Sequence, residues 1–199
     1  MAQMGAGSTQ NDLDVLRISC AKGGSSVLAD ACLARGWLSR GESQIAFDWG
    51  ALLQQGDDLQ DIREDLRSGS STLFTLAISQ ARPLDALVAQ LLNFSEHVGS
   101  ELDGFIAGTA TLKDLLRMSW RSIIVAAVAG VPEYFTSAFL RELEGSSPFR
   151  FGFLQERREH LAGHRGLYAR TFSILVDVPQ ESPVAPPFRC TLAEAGAPS

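Results

Sequence analysis

The chain has 199 residues, 45% hydrophobic and 20% charged, with a mean hydropathy of +0.05, the composition of a folded domain and not of a fibre or a disordered tail. A formal net charge of −6 and an isoelectric point near 5.1 argue against a nucleic-acid binder, which needs a basic face to neutralise phosphates. The three cysteines, Cys20, Cys32 and Cys190, are too dispersed for a disulfide framework or a C-x-x-C zinc site, so a reducing, cytoplasmic setting is expected.

Residues 1–11 have neither the basic start nor the apolar run of a secretory signal and are expected to be disordered. Periodicity from there on is helical, with no convincing alternation before the C-terminal end, and the expected class is all-α. A first helix is expected over 12–35, capped by Asn11 or Asp12, stopped by Gly36 and weakened in its middle by Gly23 and Gly24. A second spans 42–68 and stops at Gly69. Pro83 opens a third, with Leu84, Leu87, Val88, Leu91, Leu92 and Val98 at helical spacing. Thr111, with Asp114 three residues on, caps a fourth, whose apolar stretch 123–131 is too short to span a bilayer and reads as buried helix. Pro132 starts a fifth that ends at Gly145, and 148–161 hold a sixth pattern, aromatic first and then charged. The helical domain is thus expected over 12–176, and 177–199 form a proline-rich tail that buries too little to order itself.

The second helix carries the chemistry. Turning 100° per residue places Ile45, Trp49, Leu52, Leu53, Gly56, Leu59 and Leu66 on one side and Gln54, Asp57, Asp58, Asp61 and Asp65 on the other. Carboxylates three and four apart repel by a few tenths of a kcal/mol per pair, only partly offset by Arg63 and Arg67. Mg²⁺ is the natural counter-charge, since it binds through one or two carboxylates, several waters and the phosphate oxygens of a substrate. The bland alternative is the solvated face of an amphipathic helix.

The run Gln54-x-x-Asp57-Asp58-x-x-Asp61, followed by Asp65-Leu66-x-x-Gly69-x-x-Thr72-Leu73, resembles the second aspartate-rich motif of class I isoprenoid synthases. This family contains trans-prenyltransferases, squalene and phytoene synthases and terpene cyclases. Asp61-Ile62-Arg63-Glu64-Asp65 also has the D-x-x-E-D form of the squalene and phytoene synthase branch, and Lys22 sits where many prenyltransferases place a lysine against diphosphate. The resemblance implies a helical cup in which Asp57, Asp58, Asp61 and Asp65 ligate Mg²⁺, Gln54 orients them, and Lys22 and Arg63 contact the substrate. Asp57, Asp58 and Asp61 would carry catalysis, the ionisation of an allylic prenyl diphosphate for coupling or cyclisation. Apolar and aromatic walls, drawn from Trp120, Ile123, Ile124, Tyr134, Phe135 and Phe139, would shelter the cation.

Before Asp57 only isolated acids occur (Asp12, Asp14, Asp30, Glu42 and Asp48), so the family's first aspartate-rich motif has no counterpart. The loop Gly69-Ser70-Ser71-Thr72 also lacks the lysine common after that glycine. The resemblance covers 16–161, the C-terminal part of such a fold. It leads one to expect missing N-terminal helices, impaired activity in this chain alone, and a homo-oligomer or a complementary N-terminal subunit. A second reading is a catalytically silent helical bundle that acts as a subunit or interaction module. His160 and His164 lack a supporting H-E-x-x-H pattern, and no P-loop, G-x-S-x-G elbow or G-x-G-x-x-G occurs. Arg150, Arg157 and Arg158 read as an exposed basic helix end.

Overall fold

A computed structural model describes residues 4–105 and 108–160, with side chains from residue 11 onward. The fold is all-α, and among the described residues there is no strand. Helix α1 (Met4–Arg35) begins well before the expected cap at Asn11 or Asp12 and ends at Gly36, whose φ of +86° is a left-handed stop. Helix α2 (Arg40–Gln60) opens on a reciprocal capping box: Ser39 Oγ accepts from the Glu42 amide at 3.3 Å, and the Glu42 carboxylate accepts from the Ser39 amide at 2.8 Å.

The long second helix expected from periodicity breaks at Asp61 (φ −96°, ψ 10°), giving a short α3 (Ile62–Ser68) that ends at the left-handed Gly69. Thr72 then caps α4 (Leu73–Ser79), a helix the sequence patterning does not separate out. Pro83 and Leu84 lead into α5 (Asp85–Glu101), and Thr109, not Thr111, caps α6 (Ala110–Gly130). Pro132 starts only a 3-10 turn. Thr136 caps the true fifth segment of the pattern, α7 (Ser137–Gly145), while Asp85 receives the Thr136 amide at 3.0 Å and ties the starts of α5 and α7 together. Residues 151–160 are helical and are called α8.

Core formation is uneven. Leu59, Ile62, Phe74, Leu84, Val88, Val98, Ile124, Val128 and Val131 are fully buried, drawn from α2 to α6 and the turns beside them. The stretch 123–131 lies largely inside, as expected, although Ile123 is 41% exposed. By contrast, among the described residues α1 places no apolar side chain in this core; its buried positions are Gly23 and Gly24. A Cβ on Gly23 would fall on the Gly50 carbonyl oxygen, one on Gly50 would fall on the Gly23 carbonyl oxygen, and one on Gly24 would lie 2.6 Å from the Phe47 ring. The glycines expected to weaken α1 are therefore where its backbone touches α2, a contact a side chain would forbid.

Among the described residues no helix is long and apolar enough to cross a membrane. The described residues up to Glu159 form one compact unit; Cys190, His164 and the expected tail lie outside the described residues.

Candidate functional site: a groove with an acidic end

An open groove of about 340 Å³ runs between α1, α2 and α6. Gly23, Ser26 and Val27 line it from α1, Leu52, Leu53 and Gly56 from α2, and Trp120, Ile123 and Ile124 from α6; Gln54, Asp57 and Gln60 give it a polar edge. Gly23, Gly50 and Gly56 lie along its length, and the Trp120 ring of α6 tilts against Trp49 at 5.8 Å. Leu53 and Ile123, both more than two-fifths exposed, leave the apolar wall open to solvent.

The acidic residues part company at this edge. Asp57 lies on the groove with its carboxyl raised above the ordinary value, first by partial desolvation against the wall and then by the negative charges of Asp61 and Asp58; Lys22 opposes that rise. Lys22 is exposed and forms no ion pair among the described residues, so its field acts on Asp57 from the α1 side. Asp61 occupies the α2–α3 break: its amide donates to the Asp57 carbonyl at 2.9 Å, and its own carbonyl takes the amides of Glu64 and Asp65. Asp65, half-buried, is likewise raised, by burial, then by Asp58 and Asp61, with Ser70 pulling the other way.

Asp58, expected beside Asp57 as a metal ligand, turns to α1 instead. It is 9% exposed; Oδ2 accepts from Ser19 Oγ at 2.6 Å and Oδ1 from Gln54 Nε2 at 2.8 Å, while Gln55 Nε2 donates to Ser19 Oγ at 2.8 Å. The physical reason is that α1 lies so close to α2 that the residue one position past Asp57 faces it. Gln54, expected to orient the metal-binding cluster, bonds the aspartate that fastens two helices.

Arg63, expected at the substrate, is committed elsewhere: its guanidinium holds Glu133 Oε1 at 2.8 and 3.1 Å, bracing α3 against the turn after α6. Of the expected wall residues, Trp120, Ile123 and Ile124 line the groove, whereas Phe135 stacks on Phe139 and lines, with Tyr134, a separate hollow beside Pro83. His97 is exposed, 3.7 Å from Glu101.

Among the described residues no group of three or more His, Cys, Asp or Glu side chains is arranged to hold a metal ion. What Asp57 and Asp61 offer is two carboxylates one helical turn apart, a donor set that suits a cation keeping most of its water and sharing phosphate oxygens, and does not suit a cage built of protein alone.

Ser19, Gln55 and Gln60 escape a reading of single residues. Ser19 is an unremarked polar residue on its own helix and acquires meaning only when α1 is laid on α2, where it meets the buried Gln55 and Asp58. No protein-family model, curated protein or solved structure matches the chain.

Proposed function

We propose that the groove binds an allylic prenyl diphosphate, with the prenyl chain along Leu52, Leu53, Trp120, Ile123 and Ile124 and the diphosphate at Asp57. The observation that carries this reading is an apolar trough that runs up to Asp57 at its polar edge, with Lys22, which forms no ion pair among the described residues, acting on that carboxylate from α1. Asp57 and Asp61 would hold Mg²⁺ together with the phosphate oxygens; when bound, the ion neutralises charge on the departing diphosphate. The chain's own part is to orient the anion through Lys22, keep water from the prenyl chain, and hold α1 in register through Ser19 and Asp58. Because Asp58 is fastened to α1 and Arg63 to Glu133, the carboxylates and cations at hand are fewer than the resemblance implies. Ionisation by this chain alone is accordingly weak, and the full reaction, coupling or cyclisation, calls for a facing set of carboxylates.

Titration calorimetry with a non-hydrolysable prenyl diphosphate analogue tests this. Heat is expected with millimolar Mg²⁺ and not in its absence, and Asp57→Asn/Asp61→Asn should remove it. Heat unchanged in the double variant, or none in the wild type, would reject the proposal.

A second reading, a subunit that acts through association, is favoured by one observation. Ile18, Leu33 and Trp37 near α1 and Leu115 and Met118 on α6 are each more than three-fifths exposed. Sedimentation showing a stable oligomer that buries the groove and leaves no analogue binding would support it.

A further inference from the structure

Arg158 comes from α8 but reaches the C-terminal end of α2. Its Nη2 donates to the carbonyl oxygen of Gln60 at 3.2 Å, and Gln60 lines the groove beside Asp57. Its guanidinium lies over Gly130, where a Cβ would overlap Nη1 and sit 3.0 Å from Cζ, so the notch that receives it exists only because residue 130 has no side chain. One turn earlier on α8, Gln155 Nε2 donates to the Ala129 carbonyl at 2.8 Å and holds α8 against the end of α6.

The cation is placed but not spent. A guanidinium has five donors, and the bond to Gln60 uses one. Among the described residues Arg158 forms no ion pair, although Asp57 and Asp61 flank Gln60 on the same helix end. The other arginines nearby are occupied: Arg63 with Glu133, and Arg67 through a hydrogen bond to the Arg63 carbonyl. A planar fork whose remaining donors have no partner among the described residues, held at the helix end where Gln60 begins the polar edge of the groove, suits bidentate binding of phosphate oxygens.

We propose that Arg158, seated in the notch at Gly130, is a second cationic contact for the diphosphate, entering at the C-terminal end of α2 while Lys22 enters from α1. The inference rests on the reading of the groove as a prenyl diphosphate site. It makes Gly130 a positioning residue: alanine there favours the helix but evicts the guanidinium, a flexible side-chain end that moves at little cost to the fold.

The test is calorimetric binding of inorganic pyrophosphate with Mg²⁺ to the full chain, with melting followed by circular dichroism. Arg158→Gln should weaken binding roughly tenfold, the scale of a lost charge-assisted hydrogen bond. Gly130→Ala should weaken it comparably with Arg158 still present, and the double variant should lose no more than either alone. Melting temperatures should stay close to wild type. If Asp57→Asn removes binding while either Arg158→Gln or Gly130→Ala leaves it intact, the inference falls and the groove reading stands. No binding in the wild type sinks both. Weakened binding accompanied by a large drop in melting temperature makes Arg158 a structural pin alone and overturns the inference.

Discussion

Helix α1 and the bundle it lies on are held by different physics. Helices α2 to α6 meet through large apolar side chains: Phe74, Leu59, Ile62 and Leu84 are almost wholly out of water, each worth roughly 1.5–3 kcal/mol of burial. Helix α1, the longest element, brings none among the described residues. It rests on a backbone contact at Gly23, Gly24 and Gly50, the Ser19–Asp58–Gln55 bonds, and an exposed Arg82–Asp12 ion pair at 2.8 Å. The apolar bundle gains stability in proportion to area, while α1 gains position from a close and extensive approach to α2. The groove lies at the seam between them, so its width is set by that approach.

Four substitutions break or sharpen this contrast, in descending size. Phe74→Ala should remove about 3–5 kcal/mol and lower the urea midpoint of the whole domain, because the void it leaves is shared by several helices. Gly50→Val should cost about 1–3 kcal/mol and act locally: amide exchange should quicken along α1 while α5 and α6 keep their protection. If α5 and α6 open equally, the two regions form one cooperative unit and the contrast is lost. Asp58→Ala leaves the Ser19 hydroxyl and Gln54 amide without their acceptor, a loss of about 1–3 kcal/mol that should again appear in α1 exchange.

The smallest effect has the opposite sign. Asp57 holds its proton more tightly folded than unfolded, so its ionisation costs stability as pH rises from the ordinary value of 3.8 through the raised one. Asp57→Asn should therefore raise the melting temperature at pH 7 by about 1 °C, a few tenths of a kcal/mol of relieved repulsion. That gain should vanish near pH 3, where the wild-type carboxyl is protonated too. A variant less stable than wild type at pH 7 would show that the acidic edge is not under strain.

Much of the fold could be read directly. Gly36 and Gly69 end helices as their left-handed geometry requires, and Leu84, Val88, Leu91 and Val98 face inward as their spacing demands. Of the expected site residues, Gln54 and Asp57 both line the groove, and the charge of Lys22 on α1 acts on Asp57. Asp58 and Arg63 do not follow it, because each finds a partner many residues away: Ser19 for one and Glu133 for the other. Ser70 and Thr72, neutral residues where a lysine would have brought a cation, are occupied locally, bonding to Ser68 and capping α4.

Local chemistry along the chain decides where helices start and stop and which stripe of each is apolar, because caps, glycines and a 3.6-residue repeat act over a single turn or two. It cannot say which edge of a stripe a neighbour will cover. At α2 that choice came from packing: three glycines let α1 approach until backbones touched, which turned Asp58 inward and left Asp57 on the groove. At Gly130 the same absence of a side chain let an arginine from α8 reach the end of α2. Both outcomes depend on the distance between helix axes, a quantity that no single helix carries.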